Sequence, residues 1–456
     1  MIDGAAGQAT ASEFPLTTRR PGDVLFRRAG GDLVTCAQFL AHVDATAARL
    51  PDRRYALNLC SDRYHFLVAF AAALVRGQMS LLSSDHSPRW LEQLAATYPE
   101  AYTIGDGADP VPGFEHAPLD LRGQRAESTL VPSIPVQRTA AVVATSGSTG
   151  APALHRKPWG TLVTCSEAAA ERFGLVGPAT TSIVGTVPPQ HMYGFETTVL
   201  LPLHAQASSF AGSTFFPYDV ALALAAVPAP RTLVTTPLQI RTLLAAGQEL
   251  PAIASVISAT APLPPELAAE AEHAWSTRVL EIFGATEVGS IASRRTVEGD
   301  RWRTYRTIRL RPEEDDGVAV TVPHLPGEVV LADRFAVDDT SSFRLLGRRT
   351  DLVKRAGKRA SLAGLNAILC SIDGVEDGIF FAPDDLDQNP RARLSAFVVA
   401  PGRTTDEIVT ALRARVEPPF LPRPLVRVAS LPRNDVGKIA RAALVELHRG
   451  AVHRRR

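Results

Sequence analysis

Thr145-Ser146-Gly147-Ser148-Thr149-Gly150 closes a β-prone run, Thr139 to Ala144, and leads into Ala151-Pro152. Its two glycines let a main chain approach an anion closely, and its hydroxyls and successive amides can donate to phosphate oxygens. The stretch lacks the GxxxxGK[ST] order of a P-loop and the GxSxG order of a nucleophile elbow. By itself it reads equally as a phosphate cradle or as a flexible Ser/Gly surface loop.

Downstream, strand-like and helix-like stretches alternate. Trp159 to Leu175 reads as a helix, Ser182 to Val187 as a strand, and an apolar helix begins at about Gly194. Strands at Thr232–Thr236, Ile253–Ser258 and Arg278–Phe283 flank helices at Pro237–Ala246 and Pro264–Trp275. This alternation predicts an α/β fold with mostly parallel sheets covered by helices. Ligands then gather beyond the carboxyl ends of the strands, where 145–150 and 284–287 both fall.

The pattern changes after Gly327. Short strands at Glu328–Leu331 and Phe343–Leu346 precede the charged segment Gly347-Arg348-Arg349-Thr350-Asp351. A helix at Leu362–Ile372, strands at Gly378–Ala382 and Leu394–Val399, a helix at Thr405–Val416 and a strand at Leu425–Ala429 follow. The predicted organisation is a large domain over 1–346, a hinge at 347–351 and a small α+β C-terminal lobe over 352–456.

Bulk properties narrow the class. At 456 residues the chain suits a large domain plus a smaller one. A net charge of +1 gives no global pull toward nucleic acid or an anionic membrane. The only local excess of charge, from His448-Arg449 to Arg454-Arg455-Arg456, reads as a solvated tail. Cys36, Cys60, Cys165 and Cys370 have neither zinc-site nor disulfide-framework spacing. The longest apolar run, Phe66 to Val75, is about half of what a membrane span needs. With no signal-peptide core at the start, the expected location is the cytoplasm.

Thr-Ser-Gly-Ser-Thr-Gly followed by Pro152 resembles the signature loop of the adenylate-forming (AMP-binding) superfamily, which includes acyl-CoA synthetases, peptide-synthetase adenylation domains and luciferases. Five further stretches resemble that family in its own order. They are Pro189-Gln190-His191-Met192-Tyr193-Gly194, Ser258-Ala259-Thr260-Ala261-Pro262-Leu263, Phe283-Gly284-Ala285-Thr286-Glu287, Gly347 to Arg359, and Leu431 to Arg441.

The resemblance implies ATP-dependent activation of a carboxylic acid, with Mg²⁺ as cofactor and CoA or an acyl carrier protein's phosphopantetheine as acceptor. It places Thr145, Ser146, Gly147, Ser148, Thr149 and Gly150 on the phosphates, Thr286 on the α-phosphate and Glu287 on the metal. Ser258, Ala259, Thr260, Phe283 and Gly284 would flank the adenine, with Asp333 and Arg348 at the ribose. Lys438 would be the catalytic lysine, and Thr350 and Asp351 the hinge. His191, Tyr193, Phe195, Thr198, Ser258 and Gly284 would line the acid pocket, which suits an aryl or short acyl acid.

Two positions depart from the family pattern. Ala153 stands where a lysine is usual, and Lys157 is expected to take that lysine's place. Thr350 stands where the hinge carries Asp. These departures favour a second reading, a catalytically weakened nucleotide-binding homologue acting as sensor or scaffold; Thr286, Glu287 and Lys438 oppose it. Shortness, His155-Arg156-Lys157-Pro158-Trp159-Gly160 and Pro188 to Glu196 resemble the compact acyl- or aryl-acid ligases of bacterial aryl-polyene pigment pathways. A Ser/His hydrolase is disfavoured by the absence of a strand–GxSxG–helix unit.

Overall fold

The computed structural model describes residues 13–83, 87–107, 110–121, 126–145, 153–348, 352–355, 358–383, 386, 389, 392–434, 437 and 439–453. The expected phosphate contacts Ser146 to Gly150, the hinge residues Thr350 and Asp351, and the catalytic Lys438 lie outside them. The chain packs as two compact units. One comprises Met1–Leu310, Val320–Val329 and Asp339–Ser342; the other comprises Arg311–Ala319, Val330–Asp338 and Phe343–Arg456.

Two sheets organise the larger unit. In one, Ala153–Pro158, Thr139–Thr145, Met79–Leu82, Tyr55–Asn58, Ala101–Gly105 and Glu115–Pro118 lie side by side. All its neighbours run parallel except the hairpin of Ala153–Pro158 on Thr139–Thr145. In the other, Ala207–Phe210, Thr181–Gly185, Arg231–Thr235, Ser255–Ser258 and Val279–Ala285 form a parallel series. Ala207–Phe210, Thr181–Gly185 and Ser255–Ser258 are buried at every position, as strands covered on both faces must be. The α/β architecture is the one the alternation predicts.

Local chemistry sets the helix ends. Thr236 caps Pro237–Ala245 by accepting from the Gln239 amide, with proline at the first helical position. Trp159–Arg172 ends where Gly174, at φ +72°, lets the Leu175 amide reach back to the Ala170 carbonyl. The apolar run after Phe66 belongs to the helix Arg63–Val75, buried from Phe66 to Leu74 inside the main core. Among the described residues no helix is long and apolar enough to cross a membrane.

Two elements differ from the sequence reading. Ala153–Pro158 is a strand, and Gly289–Arg295 runs back antiparallel to Val279–Ala285, so the expected 284–287 loop is a tight reversal. In the smaller unit, Asp377–Phe381, Ser395–Val399 and Leu425–Arg427 form a sheet packed by Leu362–Cys370 and Thr405–Arg413. His448 is no part of a solvated tail. It lies in the helix Arg441–His453, with Nδ1 2.8 Å from Ser395 Oγ and its ring on Phe381.

Candidate active site

The parallel strands of the larger unit deliver three signature segments to one sheet edge. Ser258 ends its strand with a hydroxyl that is buried and without a partner among the described residues. Two residues on, Thr260 sits at φ +80°, a left-handed conformation that a β-branched side chain adopts only under constraint. Part of that constraint is visible at Glu281. This buried carboxylate accepts from the Leu263 amide at 2.9 Å and from Thr296 Oγ1 at 3.0 Å, so it ties the loop to the neighbouring strand. Glu281 also pairs with Arg294 at 2.7 Å. The Arg294 guanidinium lies 4.6 Å over the Trp302 ring, and Trp302 meets Phe283 edge-on at 5.8 Å. An ion pair and two aromatic contacts therefore hold Phe283, the expected adenine neighbour.

The reversal from Ala285 to Gly289 carries Thr286 and Glu287, both half-buried. A bulge at Phe283/Gly284 tightens it, and the Val288 amide donates to the Ala285 carbonyl at 3.1 Å. A Cβ on Gly284 would stand 2.6 Å from the Gly289 oxygen, so only glycine permits the two strands to close here. Gly289 is at φ +85°, and a Cβ there would lie 2.5 Å from Glu196 Oε1.

Lys157 reaches the turn from the other sheet. Its side chain is 1% exposed, and Nζ donates to the Glu287 carbonyl at 3.0 Å. Lys157, the candidate for the phosphate-facing lysine, has its ammonium buried under the turn and bonded to main chain. Burial lowers its pKa to about 8, opposed by the nearby Glu196 carboxylate. Two residues earlier on the same strand, His155 has Nε2 buried without a partner among the described residues. Burial lowers its pKa against the pull of Glu287.

The segment after Pro188 meets the turn from a third side. His191 Nδ1 accepts from the Tyr193 amide at 3.2 Å, which leaves Nε2 as the proton-bearing nitrogen. Tyr193 is buried, and its hydroxyl donates to the Ile257 carbonyl at 2.8 Å; only its ring remains to face a ligand. Phe195 and Thr198 are corrected as acid-pocket residues. Phe195 is fully buried against Phe66 and Phe70, and Thr198 donates to the Gly194 carbonyl while its methyl packs on Gly185.

Phe195–Leu200 is π-helical, a wider turn than that of an α-helix. Glu196 and Thr197 take the turn-facing side. Both border, with Ser290, Tyr305 and Ser166, a small cavity with about 20 Å³ of room for a water's centre. Glu196 accepts from the Ser290 amide at 3.1 Å and from its hydroxyl, and burial raises its pKa. In the smaller unit, Asp333 is a buried strand residue and Arg348 ends the strand Ser342–Arg348.

The AMP-binding enzyme family model matches residues 17–316. The chain belongs to that family. Two 4-coumarate–CoA ligases are similar to this AMP-binding enzyme. That of Halorhodospira halophila is 32% identical over 316 residues, covering 65% of this chain and 73% of the relative. That of Rhodobacter capsulatus is 30% identical over 277 residues, covering 61% and 67%. The fold matches o-succinylbenzoate CoA synthetase from Bacillus subtilis in complex with its acyl-adenylate, with TM-score 0.81, 18% identity and 95% and 98% of the two chains covered.

A magnesium site in this enzyme is compatible with the residues present. Among the described residues no three His, Cys, Asp or Glu side chains converge as a protein-only cage. Mg²⁺ carried by phosphates needs only one or two carboxylates, and Glu287 stands half-exposed on a glycine-tightened turn. The unpartnered Ser258 hydroxyl is a further group left for a ligand. Sequence reasoning passed over Glu196, Glu281 and Trp302. The available signal for Glu196 was one carboxylate inside an otherwise uncharged run, Phe195 to Leu203.

Proposed function

We propose that this protein adenylates a carboxylic acid with ATP and passes the acyl group to a thiol, either that of CoA or that of a carrier protein's phosphopantetheine. The observation that carries the reading is the Thr286–Glu287 turn, held from two other segments of the same unit at the carboxyl edge of parallel strands. The 4-coumarate–CoA ligase relatives support an acid–thiol ligase, and a planar aryl or short acyl acid is the proposed substrate. The resemblance to aryl-polyene pathway ligases makes a carrier protein a candidate acceptor.

In the first half-reaction a carboxylate oxygen attacks the α-phosphorus. The bond to the leaving pyrophosphate breaks, and its electron pair departs with pyrophosphate. When bound, Mg²⁺ supplies neutralisation of the phosphate charge. Glu287 would hold it, Thr286 would donate to the α-phosphate, and loop 145–150 would grip the phosphates. Ser258 to Thr260 and Phe283 flank the base, Asp333 and Arg348 bind the ribose, and Lys438 bridges the carboxylate and phosphate oxygens as charge develops. His191 orients the incoming acid. The segment 347–351 is the proposed hinge through which residues 352–456 withdraw Lys438 before the thiol attacks the acyl carbon. In that step the thiol loses its proton, and the bond from the acyl carbon to the phosphate oxygen breaks, with AMP leaving on its electron pair.

Pyrophosphate exchange against a panel of aryl, short-chain and long-chain acids tests the reading. Exchange dependent on an aryl or short acyl acid is expected. ATP binding with no exchange on any acid would instead favour the sensor or scaffold reading.

A further inference from the structure

Three segments far apart in sequence converge under the Thr286–Glu287 turn. Lys157 lies on the strand Ala153–Pro158, Glu196 on the π-helical stretch Phe195–Leu200, and Ser290 on the returning strand. Each makes a main-chain contact that fixes one side of the turn. Lys157 Nζ donates to the Glu287 carbonyl, and Glu196 receives both the amide and the hydroxyl of Ser290. The Lys157 side chain is buried and Glu196 is half-buried, and the Glu196 charge offsets part of the cost of burying the Lys157 ammonium. Gly289, between them, has no Cβ to hold Glu196 away.

A buried ammonium with a half-buried carboxylate nearby is an expensive way to shape a five-residue turn if its purpose is stability alone, because apolar side chains of similar size often serve as well. What these charges specify is direction. The bond to the Glu287 carbonyl sets the plane of the peptide that follows Glu287. The bonds to Ser290 set the far end of the turn, and together they determine where the Glu287 side chain leaves the backbone.

We propose that Lys157, balanced by Glu196, is a positioning residue that aims the Glu287 carboxylate at its divalent cation, and that it does not contact phosphate itself. This rests on the adenylation reading for the identity of the ligand.

The test compares ATP binding by calorimetry with Mg²⁺ present and with EDTA, in the full chain. Wild type should bind ATP at least tenfold more tightly with Mg²⁺. Lys157→Met, which preserves side-chain length, should lose most of that increment while binding in EDTA stays within twofold. Combining Lys157→Met with Glu287→Gln should weaken Mg²⁺-dependent binding no further than Glu287→Gln alone, since both remove one function. Full retention of the increment in Lys157→Met, equal losses with and without Mg²⁺, or additive losses in the double variant would overturn the proposal.

Should Lys157→Met fail to fold, Glu196→Gln decides, because it can keep both bonds to Ser290 while removing the balancing charge. A loss of at least threefold in the increment supports the proposal, and an unchanged increment overturns it. If wild type shows the Mg²⁺ increment but exchanges pyrophosphate with no acid, the adenylation reading fails while the brace is still judged by binding. If wild type binds ATP no better with Mg²⁺, the proposed brace has no cation to serve and is overturned.

Discussion

Gly289 shows how much chemistry one residue without a side chain can carry. Its φ of +85° is unfavourable for any L side chain, and the missing Cβ is the space that Glu196 Oε1 uses. Gly289→Ala therefore combines a left-handed alanine with a collision against the half-buried Glu196 carboxylate. We expect a loss of about 2 kcal/mol or more in urea unfolding. Acid-dependent pyrophosphate exchange should fall at least tenfold under conditions where the variant stays folded, because the displaced turn carries Thr286 and Glu287. Exchange at the wild-type rate would show that the turn tolerates displacement. The glycine of Phe283-Gly284-Ala285-Thr286-Glu287 and the carboxylate that follows it were legible in sequence. That Gly289 is a second close-approach position depends on a side chain 93 residues upstream, Glu196.

At the scale of elements, the π-helical stretch Phe195–Leu200 decides which side chains meet the ligand side. Phe195 and Thr198, which the resemblance places in the acid pocket, are packed inside: Phe195 against Phe66 and Phe70, Thr198 against Gly185. Phe195→Ala should lower stability by about 3–5 kcal/mol, as for other large-to-small core changes, and leave the ranking of acids in pyrophosphate exchange unchanged. Thr197→Val, at the cavity beside Glu196, should alter that ranking with little loss of stability. The reverse outcome would return Phe195 to the acid pocket. Helix and strand limits elsewhere agree closely with the sequence pattern because caps and prolines set them locally, as Thr236-Pro237 does. A π turn has no comparable local signature.

For the whole molecule, the chain divides into two compact units, and the proposed two-step reaction assigns Lys438 to the second. Lys438→Ala should abolish acid-dependent pyrophosphate release while largely sparing thioester formation from supplied acyl-adenylate. Equal loss of both half-reactions would refute a division of labour in which 352–456 serves only the first step with this lysine. The unit division also differs in detail from the sequence expectation of a single change at 347. Arg311–Ala319 and Val330–Asp338 fall in the same compact unit as Phe343–Arg456. No local composition change marks these crossings, since they are set by which strands pair.

The sequence by itself determined the α/β class, the order of the signature segments and the family to which they belong, because those are encoded in periodicity and in short contiguous motifs. Tertiary structure alone decided what the phosphate-loop hairpin contributes beyond its loop. Lys157, four residues past Ala153, is polar and cationic, and nothing in its neighbours says which way it faces. The strand pairing of Ala153–Pro158 on Thr139–Thr145 places it at the underside of the Glu287 turn, where a carbonyl and a distant carboxylate give a buried ammonium its reason to be there.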